Sequence, residues 1–170
     1  MSNETTTTTG TAAAAAFIEL VTKCRETQAA EIEGGGQAEA WAIRPASLGT
    51  LTGHEATLAR TDADVYNLVE SMKARYVTKA GHPDALAGVV LVTWGWAAPL
   101  DEARPEHEQA APSKHPQRRR VRLMAAVTQA GQSASRLDFF DVTSGTMTER
   151  IDDAGEARGP LADALGEIFY

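Results

Sequence analysis

Cysteine is nearly absent: Cys24 is the only one in 170 residues, so the chain forms no internal disulfide and builds no site from several thiolates. A reducing cytoplasm is the expected location. Basic residues are also scarce relative to acidic ones, 16 against 23, for a net charge of -7. That balance excludes a protein that coats nucleic acid over its whole surface, although it leaves room for a local basic patch. Long apolar runs are missing as well. The longest uncharged stretch, Ala85 to Leu100, contains Gly88, Gly95 and Pro99 and is too short to cross a bilayer as a helix. The start, MSNETTTTTG, has no basic region, and the apolar stretch after it is interrupted by Glu19, Lys23 and Arg25. No secretory signal and no membrane partner are therefore expected.

Catalytic signatures are lacking too. There is no G-x-S-x-G elbow, no P-loop and no G-x-G-x-x-G after a strand, so no catalytic residue is assigned. The histidines His54, His82, His107 and His115 fall in no H-E-x-x-H, H-x-E or H-x-H arrangement. His82 and His115, each followed by proline, read as turn residues, and neither a metal nor a cofactor is expected. Cys24 lies on the apolar stripe of a helix and reads as a small core residue.

What is present is an ordinary globular composition, 43% hydrophobic, over a length that suits one domain. Residues 1–11 are polar, with five consecutive threonines, and read as a disordered tail ahead of a single domain over 12–170. Ala12 to Glu33 predicts an amphipathic helix with Phe17, Leu20, Val21, Cys24 and Ile32 along one stripe, ended by Gly34 to Gly36. Ala38 to Arg44 gives a weak edge-strand signal that stops at Pro45. Residues 46–60 receive no assignment. Val65, Leu68, Val69, Met72 and Tyr76 are spaced for a second helix, stopped by Gly81 and Pro83.

The segment from Ala87 to Val127 organises the rest. Val89 to Val92 form a continuous aliphatic block, the pattern of a strand buried on both faces. In the next apolar run Val121, Leu123, Ala125 and Val127 share one face while Arg120 and Arg122 share the other. The two strands are joined by an outsized connection over residues 101–118, of a length that is usually functional or disordered. A turn around Gly131 leads into a third strand, Ser135 to Val142, with Leu137 and Phe139 on one face. A short edge strand over Thr146 to Ile151 and a closing helix from Pro160, with Leu161, Leu165, Ile168 and Phe169 apolar, complete the chain. The order of elements predicts α+β, an antiparallel meander of three to four strands with helices packed mainly on one face.

Two clusters are candidate binding residues. Arg118, Arg120 and Arg122, about 7 Å apart along one strand face, suit phosphates or partner carboxylates. The plainer reading is a solvated face neutralised by loop acids or by Asp138 and Asp141 on the next strand. Trp94 and Trp96, separated by Gly95, fall on one face if the strand is regular, and could anchor a peptide or stack on bases. At least one of the pair is expected in the core. His115 belongs to the basic cluster, shortly before Arg118.

Trp94 to Pro99, then Pro112-Ser113-Lys114-His115-Pro116 and Arg119 to Leu123, resemble a pattern in small uncharacterised proteins of actinobacteria and their phages. The resemblance covers the middle third of the chain, implies a source, and brings no activity and no catalytic residues with it. The leading expectation is a non-enzymatic accessory or interaction protein, phage-encoded on that resemblance. Its surface of Trp94, Trp96, His115, Arg118, Arg120 and Arg122 would bind a protein partner or, through the basic patch, a nucleic acid. An enzyme with its site under the 101–118 loop, using His107 or His115, is the alternative. A virion or assembly component whose threonine-rich tail orders on a neighbouring subunit is the third. The sequence sets no oligomeric state.

Overall fold

A computed structural model describes residues 9–27, 36–46, 53–75, 86–99, 101–105, 108, 111–153 and 160–168. Helix α1 (Thr9–Thr27) is followed by strands β1 (Ala38–Pro45) and β2 (His54–Asp62), helix α2 (Val65–Arg75) and strand β3 (Gly88–Ala97). A 3-10 turn (Pro112–Lys114) precedes β4 (Arg119–Thr128), β5 (Ser133–Phe140), β6 (Met147–Asp153) and helix α3 (Pro160–Gly166). The strands form one six-stranded sheet in the order β2-β1-β3-β4-β5-β6, with every pairing antiparallel.

The α+β class is as expected, but the sheet is wider than three to four strands and its helices lie on both faces. The cause is visible in β1 and β3. In β1, Ala38 to Ile43 are buried without a break, as are Gly88 to Val92 in β3. A strand buried on both sides needs a layer on each. On one face α1 brings Phe17, Ile18 and Val21 against Trp41, Val90 and Met124. On the other, α2 and α3 bring Leu68, Met72 and Leu165 against Ala40, Leu91 and Ala125.

β1 is an interior strand, paired with β2 on one side and β3 on the other, rather than the edge strand its short apolar pattern suggested. The true edge on that side is β2, which lies in the segment without an assignment except for Thr61 and Asp62 at its end. Its residues are half-buried or exposed throughout, so no clean alternation marks it.

Several local expectations match. Gly131 adopts a φ of 82° in the β4–β5 turn, where Thr128 N–H donates to the Gln132 carbonyl at 2.8 Å. β6 forms the opposite edge, and Pro160 opens α3. Helix α1 begins at Thr9, inside the stretch read as a tail. The expectations for Ile32, Gly34, Gly35, Tyr76, Gly81, His82, Pro83, His107 and Phe169 lie outside the described residues.

Candidate functional site

Pairing of β3 with β4 sets Trp94 opposite Arg122 and Trp96 opposite Arg120. Alternation puts these four side chains on the face that carries α1, in line with Val90, Val92 and Met124. The helix covers the inner part of that face. Its last turns, with Thr22, Arg25 and Glu26, form one wall of a cavity of about 710 Å³. Trp94, Trp96, Arg120 and Arg122 line the cavity from the sheet, and Phe140, Met147 and Arg150 close the far side along β5 and β6. Neither Trp94 nor Trp96 is fully buried. The tryptophan of the core is Trp41, at 0% exposure.

The aromatic and guanidinium groups are layered. The Arg120 guanidinium carbon lies 5.4 Å from the Trp96 ring centre and 5.6 Å from that of Trp94. Arg122 lies 5.4 Å from Trp94 and 5.2 Å from Phe140, and Arg118 lies 5.1 Å from Trp96. These separations are within the range of cation–π attraction. Arg118 precedes β4 instead of continuing its face, and its backbone N–H donates to the His115 carbonyl at 3.2 Å.

A buried ionic network stiffens the floor. Asp138 is completely buried on β5, where it pairs with Arg122 on β4 and Arg150 on β6. Its Oδ2 accepts from Arg122 Nη2 at 2.6 Å and Nε at 3.1 Å, and its Oδ1 accepts from Arg150 Nε at 2.8 Å. Burial pushes the Asp138 carboxyl up, but the hydrogen bonds from Arg122 and Arg150 outweigh it and hold the group below the usual carboxylate value. Arg136, also buried, reaches out to Glu19 on α1 at 2.9 Å and to the Thr22 hydroxyl at 2.5 Å. In the other direction, Arg25 on α1 clamps Glu39 of β1 through two hydrogen bonds of 2.9 Å, and the same carboxylate accepts from the Trp41 indole N–H at 2.8 Å.

Arg120 differs from its neighbours: its backbone is held in the sheet between Trp96 and Phe140, but among the described residues its side chain forms no hydrogen bond and no ion pair. Arg122, by contrast, is the neutralised arginine of the plainer sequence reading, with Asp138 as its partner.

Of the residues singled out in the sequence, Trp94, Trp96, Arg120 and Arg122 meet at the cavity, and Arg118 packs at its margin. His115 stands apart from the lining. It follows the 3-10 turn, and its Nδ1 accepts from the Gln117 N–H at 3.0 Å. No described residue of the 101–118 connection lines the cavity. Sequence reasoning missed the contributions of Arg25, Phe140, Met147 and Arg150. A signal existed for Phe140, because Arg136, Asp138 and Phe140 alternate along β5 in phase with Arg120 and Arg122.

Comparison of the chain with family models, curated proteins and solved structures finds no match. Among the described residues no helix is long and apolar enough to cross a membrane.

Proposed function

We propose that this chain is a non-enzymatic binding protein that captures a partner, a protein ahead of a nucleic acid, through the face built from Trp94, Trp96, Arg118, Arg120 and Arg122. The observation that carries this reading is the placement of Arg120. A guanidinium held between two indoles, with no carboxylate among the described residues, keeps its hydrogen-bonding edge available while its orientation is already fixed. Aromatic and arginine side chains are also the residue types that dominate binding energy at interfaces. His115 contributes by holding the turn that delivers Arg118. The observations favour a binding surface over an active site beneath the 101–118 connection, because the described walls of the cavity come from α1, β3, β4, β5 and β6.

The test is a double substitution, Arg118→Ala with Arg120→Ala. Neither residue is tied to a buried acid, so the melting temperature stays near that of the parent chain. A partner purified from the native host and identified by mass spectrometry should then bind the variant at least about tenfold more weakly, a loss of about 1.4 kcal/mol. Unchanged affinity for the variant rejects the proposed surface. Arg122 is left out deliberately, since its removal would disturb Asp138 and confound binding with stability.

A further inference from the structure

The cavity's charges say what kind of group it takes. Arg25, Arg120, Arg122 and Arg150 face into it, but Glu26 on the α1 wall and Asp141 on the far side belong to the same lining. Glu39 and Asp138 bind the arginines from behind. Opposite charges therefore balance across the lining, and the nearby Arg118 adds a single positive charge in excess. A polyanion would meet Glu26 and Asp141 at close range, and those two are not diffuse charges. Asp141 is held as an anion below the usual carboxylate value by the backbone N–H groups of Ser144 and Thr143. A single carboxylate, in contrast, matches Arg120, the one arginine of the described lining whose guanidinium has no hydrogen-bond partner among the described residues.

The rest of the wall is apolar. Trp94, Trp96 and Phe140 form its floor, and Met147, 48% exposed, and Val142, 62% exposed, form its lip. Those two belong to the short list of large apolar side chains that the described surface leaves in water. They stand on β6 and on the turn that enters it, and β6 is a terminal strand whose outer edge pairs with no described strand.

We infer that the cavity receives a peptide segment carrying one carboxylate beside an apolar side chain, with the carboxylate on Arg120 and the side chain against Trp94, Trp96 and Met147. This deepens the binding reading above and rests on it. An edge strand beside the opening gives an extended peptide backbone hydrogen bonds to use, which a free small acid lacks.

The experiment follows the three indole N–H resonances of the intact chain in a proton–nitrogen spectrum. Trp41, sealed in the core, serves as the folding control. The probes are N-acetyl-phenylalanine, its uncharged amide, phenyl phosphate, and a tetrapeptide ending in the same phenylalanine carboxylate. The expected result is that N-acetyl-phenylalanine shifts Trp94 and Trp96 and leaves Trp41 in place. The amide binds at least tenfold more weakly, and so does the acid against Arg120→Gln. The tetrapeptide binds at least tenfold more tightly than the single residue. Equal binding of acid and amide, or tighter binding of phenyl phosphate, overturns the carboxylate assignment. Absence of any gain from the tetrapeptide overturns the peptide assignment. If these fail while Arg118→Ala with Arg120→Ala still weakens partner capture, the binding surface stands and this inference alone falls.

Discussion

Asp138 shows how one side chain decides what the neighbouring ones are free to do. It lies at 0% exposure between Arg122 and Arg150, with Arg136 Nε a further 3.6 Å from its Oδ1. Breaking a buried ionic cluster by removing one member leaves the others desolvated and unpaired, at a cost of about 3 kcal/mol or more. Asp138→Asn is therefore expected to lower unfolding stability at neutral pH by about that amount, measured by urea denaturation. The pH dependence has a definite sign. A carboxyl held below its usual value in the folded chain stabilises fully above the unfolded value of about 3.9. That contribution is lost as the pH falls through the depressed folded value. The gap between parent and variant should hence be constant through neutral pH and shrink on acidification below about pH 4. A gap that does not change with pH would show that Asp138 does not act as an anion.

At the level of elements, α1 approaches β3 closely at Gly88. A Cβ added to Gly88 would lie 2.6 Å from Phe17 Cε2 and 2.7 Å from the Val127 carbonyl oxygen. A ring wedged in the core and a backbone atom have little room to yield, so Gly88→Ala should cost about 1–3 kcal/mol, again by urea denaturation. No loss would mean that α1 is not seated on the β3–β4 pair through Phe17.

Elements were legible in the sequence where apolar residues run unbroken or alternate with charged ones, as in β3 and β4, or where turn chemistry is explicit. The alternation of Val121, Leu123, Ala125 and Val127 against Arg120 and Arg122 fixed β4. Gly131 fixed the following turn, and Pro160 the start of α3. Strand β2 was illegible because an exposed edge strand has no buried face to enforce a period. β1 was legible as a strand but misplaced, since its small alanines hide that both its faces are covered. The candidate site was legible as far as its β3 and β4 side. Phe140 on β5 could have been read from its phase with Arg120 and Arg122, but the remaining walls come from α1 and β6, distant in sequence, and no local pattern announces that they converge.

For the whole molecule, the net charge of -7 surrounds a cavity that is locally balanced to slightly positive. Long-range repulsion of an anionic ligand then opposes short-range attraction, and added salt screens the former more completely. Binding of a monocarboxylate should change by less than about threefold between low and physiological ionic strength. A protein that gripped a polyphosphate backbone would instead lose about a thousandfold or more. Isothermal titration across a salt series separates the two, and a steep loss of affinity would point to nucleic acid.

The reciprocal links between α1 and the sheet have one more consequence. The helix sends Arg25 down to Glu39, and the sheet sends Arg136 up to Glu19, so donor and acceptor alternate across the boundary like two keys cut in opposite senses. Sliding the helix by one turn would strand the buried Glu39 and Arg136 at once, while the exposed Glu19 would simply return to water. The recess beside it consequently exists with its walls already in place before any visitor arrives, and its shape belongs to the folding reaction rather than to the encounter.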